Sequence, residues 1–240
     1  MVFPYRSFAM TAILERARDH ALDLMRRYQS QVDYLAIRLE ASEGADVLLR
    51  GLKVETLSEG MAIGGHVRAC HRGGWGFSSF NRVEDLVARV EEAIVAAKMV
   101  GVEETVLADI KAVQAVCQMP LDRRDPRHVS LSEKKALCEH YGEVLRSVDS
   151  RIATLSVRYG DITQRSILIT SDGTVIDQTW SDLEMRFSAT ARSGDAVQTG
   201  RETVGSRRGF DELRNLDAQV RSAAERSVTA LSLPPVQGGT

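Results

Sequence analysis

The hydrophobic period of this chain changes in the same order twice, and that rhythm constrains the fold more than any other feature. In the first half, Ile13, Leu14, Ala17, Ala21, Leu24, Met25 and Tyr28 recur at helical spacing, with Glu15, Arg16, Asp19, Asp23 and Arg27 on the other face. From Val32 to Phe80 the period drops to two. "DYLAIRLEA", "DVLLRGLKVETLS" and "AIGGHVRACHR" read as successive strands separated by glycine-containing turns. A helical stripe then returns at Val83, Leu86, Val87, Val90, Ala93, Ile94 and Ala97. Asn81 and Glu84 start it as an N-cap and capping-box pair, and it stops before Gly101.

Residues 101–130 carry at most three helix-like turns, and "MPLDRRDPRHVS" marks a linker by its two prolines and its charges. The expected division is therefore 1–119, a linker over 120–130, and 131–240. Beyond it the rhythm repeats. Ser130 and Glu133 form a second capping-box pair ahead of Ala136, Leu137, Tyr141, Val144 and Leu145 on one helical face. Five strand-like runs follow: "IATLSVRYG", "RSILIT", "TVIDQTW", "LEMRFSATAR" and "AVQTGRETVGS". Ser171-Asp172-Gly173-Thr174 puts Asp-Gly between two of them, as a type I′ hairpin turn requires. A last helix directs Leu213, Leu216, Val220, Ala223, Ala224, Val228 and Leu231 inward. The pattern predicts an α+β fold of two antiparallel meander sheets, each backed by amphipathic helices. The shared element order of residues 11–100 and 131–231 suggests an internal duplication.

Charge narrows the partners. Thirty-one Lys and Arg against 33 Asp and Glu leave a net charge of -2, so no global field draws the chain to nucleic acid or an anionic membrane. The pairs Arg26-Arg27, Arg123-Arg124 and Arg207-Arg208 read as solvated surface. Cys70, Cys117 and Cys138 are odd in number and lack CxxC spacing, which fits neither a disulfide framework nor a zinc ribbon and suits a reducing cytoplasm. "MVFPYRSFAM" does not resemble a signal peptide, and no apolar run approaches the ~20 residues that span a bilayer.

The residues that could carry chemistry do not assemble into a catalytic set. His66 and Cys70 fall on one face of a strand while His71 is out of phase, so the three could ligate one metal only across a bulge. His20 and His128 have no partner at ligand spacing, and His140 follows Glu139 in the wrong order for H-E-x-x-H. In "GGWGFSSFN", Gly76-Phe77-Ser78-Ser79-Phe80 lacks the second glycine of a nucleophile elbow. Acidic pairs such as Asp161 with Glu184, or Glu103-Glu104, read as solvated faces. No catalytic residue and no metal ligand is assigned.

"GGWGFSSFN" followed by a long amphipathic helix, and "SDGTVIDQ" followed by "MRFSATAR", resemble the TldD/PmbA family. The opening helix, "VLLRGLKVETLSEG", the Pro-containing linker and the closing "LPPVQGGT" stand in the family's order, so the likeness covers essentially the whole chain. The resemblance implies a zinc metallopeptidase whose metal sits on an H-E-x-x-x-H helix and a distant cysteine. No such helix occurs between Met1 and Thr240, so none of those ligands carries over and no cofactor is expected in this chain itself. The implied role is the N-terminal scaffold, dimerisation and peptide-enclosing part of a TldD-type enzyme, inactive alone; the alternative is a non-catalytic PmbA/TldE-like binding or regulatory subunit. Implied partners are an unfolded or extended peptide and a TldD/PmbA-type subunit. Trp75, Phe77, Ser78 and Ser79 are the candidate substrate-contacting residues.

Overall fold

The computed structural model describes residues 4–104, 106–119, 123–234 and 238, with side chains from residue 12 onward. Linker residues 120–122 and most of "LPPVQGGT" lie outside the described residues. Helix α1 (Pro4–Tyr28) leads into β1 (Tyr34–Arg50), β2 (Lys53–His71), β3 (Gly74–Phe80) and α2 (Leu86–Val100). After a short strand β4 (Gln114–Gln118), the order returns as α3 (Leu131–Ser147), β5 (Ile152–Thr170), β6 (Val175–Ser193), β7 (Ala196–Ser206) and α4 (Asp217–Ala230).

The α+β class is as expected, but the two meanders are one sheet. Its order is β3-β2-β1-β5-β6, with β7 and β4 both on the far side of β6. Strands β1 and β5 pair antiparallel from Ala36↔Thr170 to Arg50↔Ser156, which fuses the expected sheets along their whole length. Period-two patterning records which face a strand buries and is silent on which strand lies beside it, so this ladder left no trace in the sequence.

Fewer and longer strands replace the short runs read from the sequence. Gly44 and Gly60 do not end strands; they face each other inside the β1–β2 ladder, and the reversal falls at Gly51-Leu52, where Gly51 takes φ 59°. Gly44 is required for closeness, not for a turn. A Cβ there would stand 2.1 Å from the Asp161 carbonyl oxygen.

Turn and cap chemistry also differ in detail. The Ser171–Gly173 loop is a hairpin tip, but only Gly173 (φ 93°) is left-handed, and Asp172 Oδ1 accepts from the Thr170 hydroxyl and the Thr174 N–H. It is a three-residue turn and not type I′. Type I′ occurs instead at Arg72-Gly73 (φ 47° and 79°) between β2 and β3. Ser130 does cap α3, accepting from the Glu133 N–H. Asn81 caps nothing: a 3₁₀ turn over Val83–Asp85 precedes α2, without a side-chain cap. The described residues of 101–113 hold no helix.

All four helices lie on one face of the sheet. Odd-numbered residues of β1 point to that face throughout: Leu35, Ile37, Leu39 and Ala41 pack with α1 and α2, and Ala45, Val47 and Leu49 with α3 and α4. The halves repeat each other in register. Leu35, Ala69 and Gly76 stand side by side across β1, β2 and β3, and Leu155, Ala189 and Gly200 do so across β5, β6 and β7. In each half the glycine lets a helix sit on the strand. A Cβ on Gly76 or Gly200 would lie 1.9 Å from the carbonyl oxygen of Ala93 in α2 or Ala223 in α4.

Candidate functional site

Alternation along β3 divides the four candidate residues between the two faces. Trp75, Phe77 and Ser79 project from the helix-free face, Trp75 and Phe77 at 44% and 62% exposure. Ser78 points the other way, buried against α2, where its hydroxyl donates to Glu92 Oε2 at 2.6 Å. That bond, with Arg89 beside it, holds the Glu92 carboxyl below its ordinary pKa. Three of the four are thus brought together and the fourth is engaged in packing.

The exposed rings are set in a cluster. Trp75 meets Tyr34 edge-on with centroids 6.0 Å apart, and the Arg68 guanidinium lies 4.9 Å over it. Phe77 tilts against His66 at 5.3 Å. Cys70, between Tyr34 and Trp75 in register, is fully buried, and that burial pushes its thiol pKa up. Burial, with Arg38 next, lowers the pKa of His66. The strand phase separates His71 from His66 and Cys70, as the spacing indicated. Among the described residues no group of three or more His, Cys, Asp or Glu could hold a metal ion.

Further along the same face the sheet forms a cleft of about 760 Å³. Asp46, Gly60, Arg158, Gly160, Glu184 and Arg186 line it. Its floor is bare because glycines occupy it: a Cβ on Gly60 or Gly160 would meet nothing within 4 Å. Its charges are paired: Arg158 donates to Asp46 on a neighbouring strand at 2.6 Å, Arg186 pairs with Glu184 two residues away on β6 at 2.6 Å, and Asp182 takes the Arg207 guanidinium. These residues come from β1, β2, β5 and β6, and only the β1–β5 ladder makes them neighbours.

Beneath the cleft, on the helix side, lies a buried ion pair. Lys134 Nζ sits 2.6 Å from Asp161 Oδ2, and the side chains are 4% and 2% exposed. The Tyr159 hydroxyl donates to the same oxygen at 2.5 Å, and the Ala45 N–H donates to Oδ1 at 3.2 Å. Burial and the Asp161 charge drive the Tyr159 pKa far up. With every polar atom of the carboxylate engaged and no opening to solvent, the pair fixes α3 on the β1–β5 junction. Asp161 and Glu184 sit on adjacent strands but on opposite faces, so they do not form an acid–base pair.

No helix among the described residues is long and apolar enough to cross a membrane. Residues 35–97 match the family described as PmbA/TldA metallopeptidase domain 1, and residues 124–231 match the PmbA/TldA metallopeptidase central domain. The chain is 57% identical over 218 residues to a metalloprotease of Synechocystis sp., covering 91% of this chain and 47% of that protein. It is 28% identical to a metalloprotease of Methanocaldococcus jannaschii, over 84% of this chain and 46% of that one. It therefore spans about half the length of these relatives. A Thermotoga maritima structure named as a candidate modulator of a DNA gyrase superimposes with TM-score 0.73 at 15% identity, over 94% of this chain and 50% of that one. TldE from Thermococcus kodakarensis does so at 0.67 and 14%, over 88% and 47%. At such identities the likeness is one of fold. Both matched domains occur in order along one continuous sheet, and a close relative shares most of the sequence: the chain belongs to the PmbA/TldD metallopeptidase family.

Proposed function

We propose that this chain is the scaffold and peptide-enclosing part of a TldD-type zinc metallopeptidase, and that it is inactive alone. One observation carries the reading: among the described residues, the helix-free face from the Trp75–Phe77 cluster to the glycine-floored cleft is uncovered and adjoins an open strand edge. An extended peptide needs main-chain hydrogen bonds and room for its backbone, and a bare strand surface offers both. Asp46, Asp182 and Glu184 of the cleft are each paired with an arginine, which suits peptides of varied sequence.

The residues of this chain do not fit the metal of such an enzyme. Cys70 is buried under two rings, His71 is on the other face, and no H-E-x-x-x-H occurs in the sequence. Zinc and the attacking water would be supplied by a catalytic part that pairs with this scaffold, and assembly with a TldD/PmbA-type subunit would close the peptide in. Three unpaired thiols suit a reducing cytoplasm for this work.

The test is to incubate the isolated chain with an unfolded peptide and zinc, alone and with a full-length TldD-type subunit. The expected result is no cleavage by the chain alone and co-elution with the subunit on size-exclusion. Cleavage by the isolated chain would overturn the inactive-scaffold reading.

A further inference from the structure

The two halves of the sheet match strand for strand except at one place, and that mismatch marks a docking edge. Leu35, Leu155, Ala69 and Ala189 fix the correspondence between β1 and β5 and between β2 and β6. On this alignment the part of β6 that carries β4, Val175–Thr179, matches residues 55–59 of β2. There β6 is covered: it pairs parallel with β4, the Val175 N–H donates to the Val113 carbonyl, and the Thr179 carbonyl accepts from Met119. Strand β3 pairs only with Gly65–His71, so among the described residues nothing lies beside the first part of β2.

The phase of the hydrogen bonds shows which groups face outward. In the two-residue hairpin at Arg72-Gly73, His71 and Gly74 exchange both bonds, so odd-numbered residues of β2 turn their N–H and C=O away from β1. The Cys70 carbonyl accepts from the Asp33 N–H on the β1 side, in agreement. Leu57, Glu59 and Met61 therefore present a row of unpaired donors and acceptors. Residues 57–62 are all exposed, Leu57 and Met61 at 45% and 48%. On the opposite edge of the sheet, the outward carbonyl of Arg201 in β7 is taken by the Arg226 guanidinium. Among the described residues the β2 edge has no such cover.

We propose that the edge of β2 from Leu57 to Met61 receives an extended peptide as an added parallel strand, in the manner of β4 on β6. This rests on the peptide-enclosing reading and names where the peptide is held. Its main chain would pair with Leu57, Glu59 and Met61. Alternate side chains would lie beside Leu57, Glu59 and Met61, which selects apolar residues at the two ends and a polar or basic one between them, while the others pass Ser58, Gly60 and Ala62 at the wall of the cleft.

Fluorescence anisotropy of the full chain tests it. The probe is a labelled peptide of alternating valine and threonine with a lysine at each end, about nine residues and so roughly 30 Å when extended. Met61→Pro removes an outward N–H without touching the β1 ladder, and should weaken binding at least about tenfold, whereas Val197→Pro on the exposed β7 edge should leave it unchanged. N-methylating alternate peptide amides should abolish binding in one phase and spare it in the other. This arm needs no variant and decides the matter if Met61→Pro fails to fold. Binding by folded Met61→Pro as by the parent, or equal effects of the two methylation phases, overturns the β2 edge and leaves peptide binding standing. A parent chain that binds no peptide overturns the peptide-enclosing reading as well. A dimer dissolved by Met61→Pro would make a second copy the occupant and overturn the proposal.

Discussion

Gly76→Ala and Gly200→Ala should damage the protein equally, because each glycine seats a helix on its strand in the same way. The added Cβ would begin 1.9 Å from a helix carbonyl oxygen, and backbone cannot rotate aside; reaching an ordinary 3.4 Å contact moves the helix by about 1.5 Å. In α2 that withdrawal disturbs Leu86, Val90, Ala93, Ile94 and Ala97 together, all buried in one cluster. Overpacking costs typically about 1–3 kcal/mol, and the simultaneous loss of a helix's contacts places both variants near the upper figure, about 3 kcal/mol. At about 2–4 °C per kcal/mol for a chain of this size, the midpoint should fall by roughly 6–12 °C. Circular dichroism melts and urea titration measure it. The sites are far apart, so the double variant should be additive within about 0.5 kcal/mol. Gly60→Ala and Gly160→Ala enter open space and serve as controls, expected to change stability by less than about 1 kcal/mol. A neutral Gly76→Ala, or a Gly200→Ala differing from it by more than about 2 kcal/mol, would refute the equivalence of the two helix seats.

Lys134→Met leaves Asp161 buried without its partner and should cost about 3–5 kcal/mol by urea titration, while replacing both members with apolar residues should recover much of the loss. Among the thiols, Cys117 is exposed whereas burial lifts Cys138 to about 12, so a thiol reagent at pH 8 should label Cys117 quickly and reach Cys70 and Cys138 only in denaturant. Burial pushes the Asp125 carboxyl up, but the Arg127 side-chain and backbone hydrogen bonds outweigh it and leave the pKa below its ordinary value. Its contribution is therefore present above the unfolded-state pKa near 3.8 and is lost as pH falls through the lower folded value. Asp125→Asn should accordingly flatten the acid limb of a stability–pH curve; an unchanged limb would show that the pair does not titrate with folding.

Helices and burial were legible in the sequence because each follows from local spacing. Leu14, Ala17, Ala21, Leu24 and Met25 are inside as the period required, and Ser130 caps α3. Ile13 lies outside at 37% exposure, at the margin of its stripe. Glycine misled because one residue answers two needs: Gly51 supplies a left-handed turn, whereas Gly44 and Gly60 are interior positions kept small for close approach or an open floor. In the candidate site, Trp75 and Phe77 were visible as aromatics in a strand. The cleft was not, since Asp46 and Arg158 are distant in sequence and meet only through strand pairing. Lys134 and Asp161 were hidden likewise, each looking like a surface charge until α3 is laid over β5.

Every pair in the β1–β5 ladder joins residues more than a hundred positions apart, whereas each half closes its own helix and hairpins locally. Local contacts form early and distant ones late, so the two halves should take shape separately and dock last. Until they do, two long complementary edges stand open on one molecule. At high concentration β1 of one chain can meet β5 of another, and the same ladder then closes between chains instead of within one. The seam that makes this fold continuous is also its point of exchange, and dilute refolding should favour the monomeric closure.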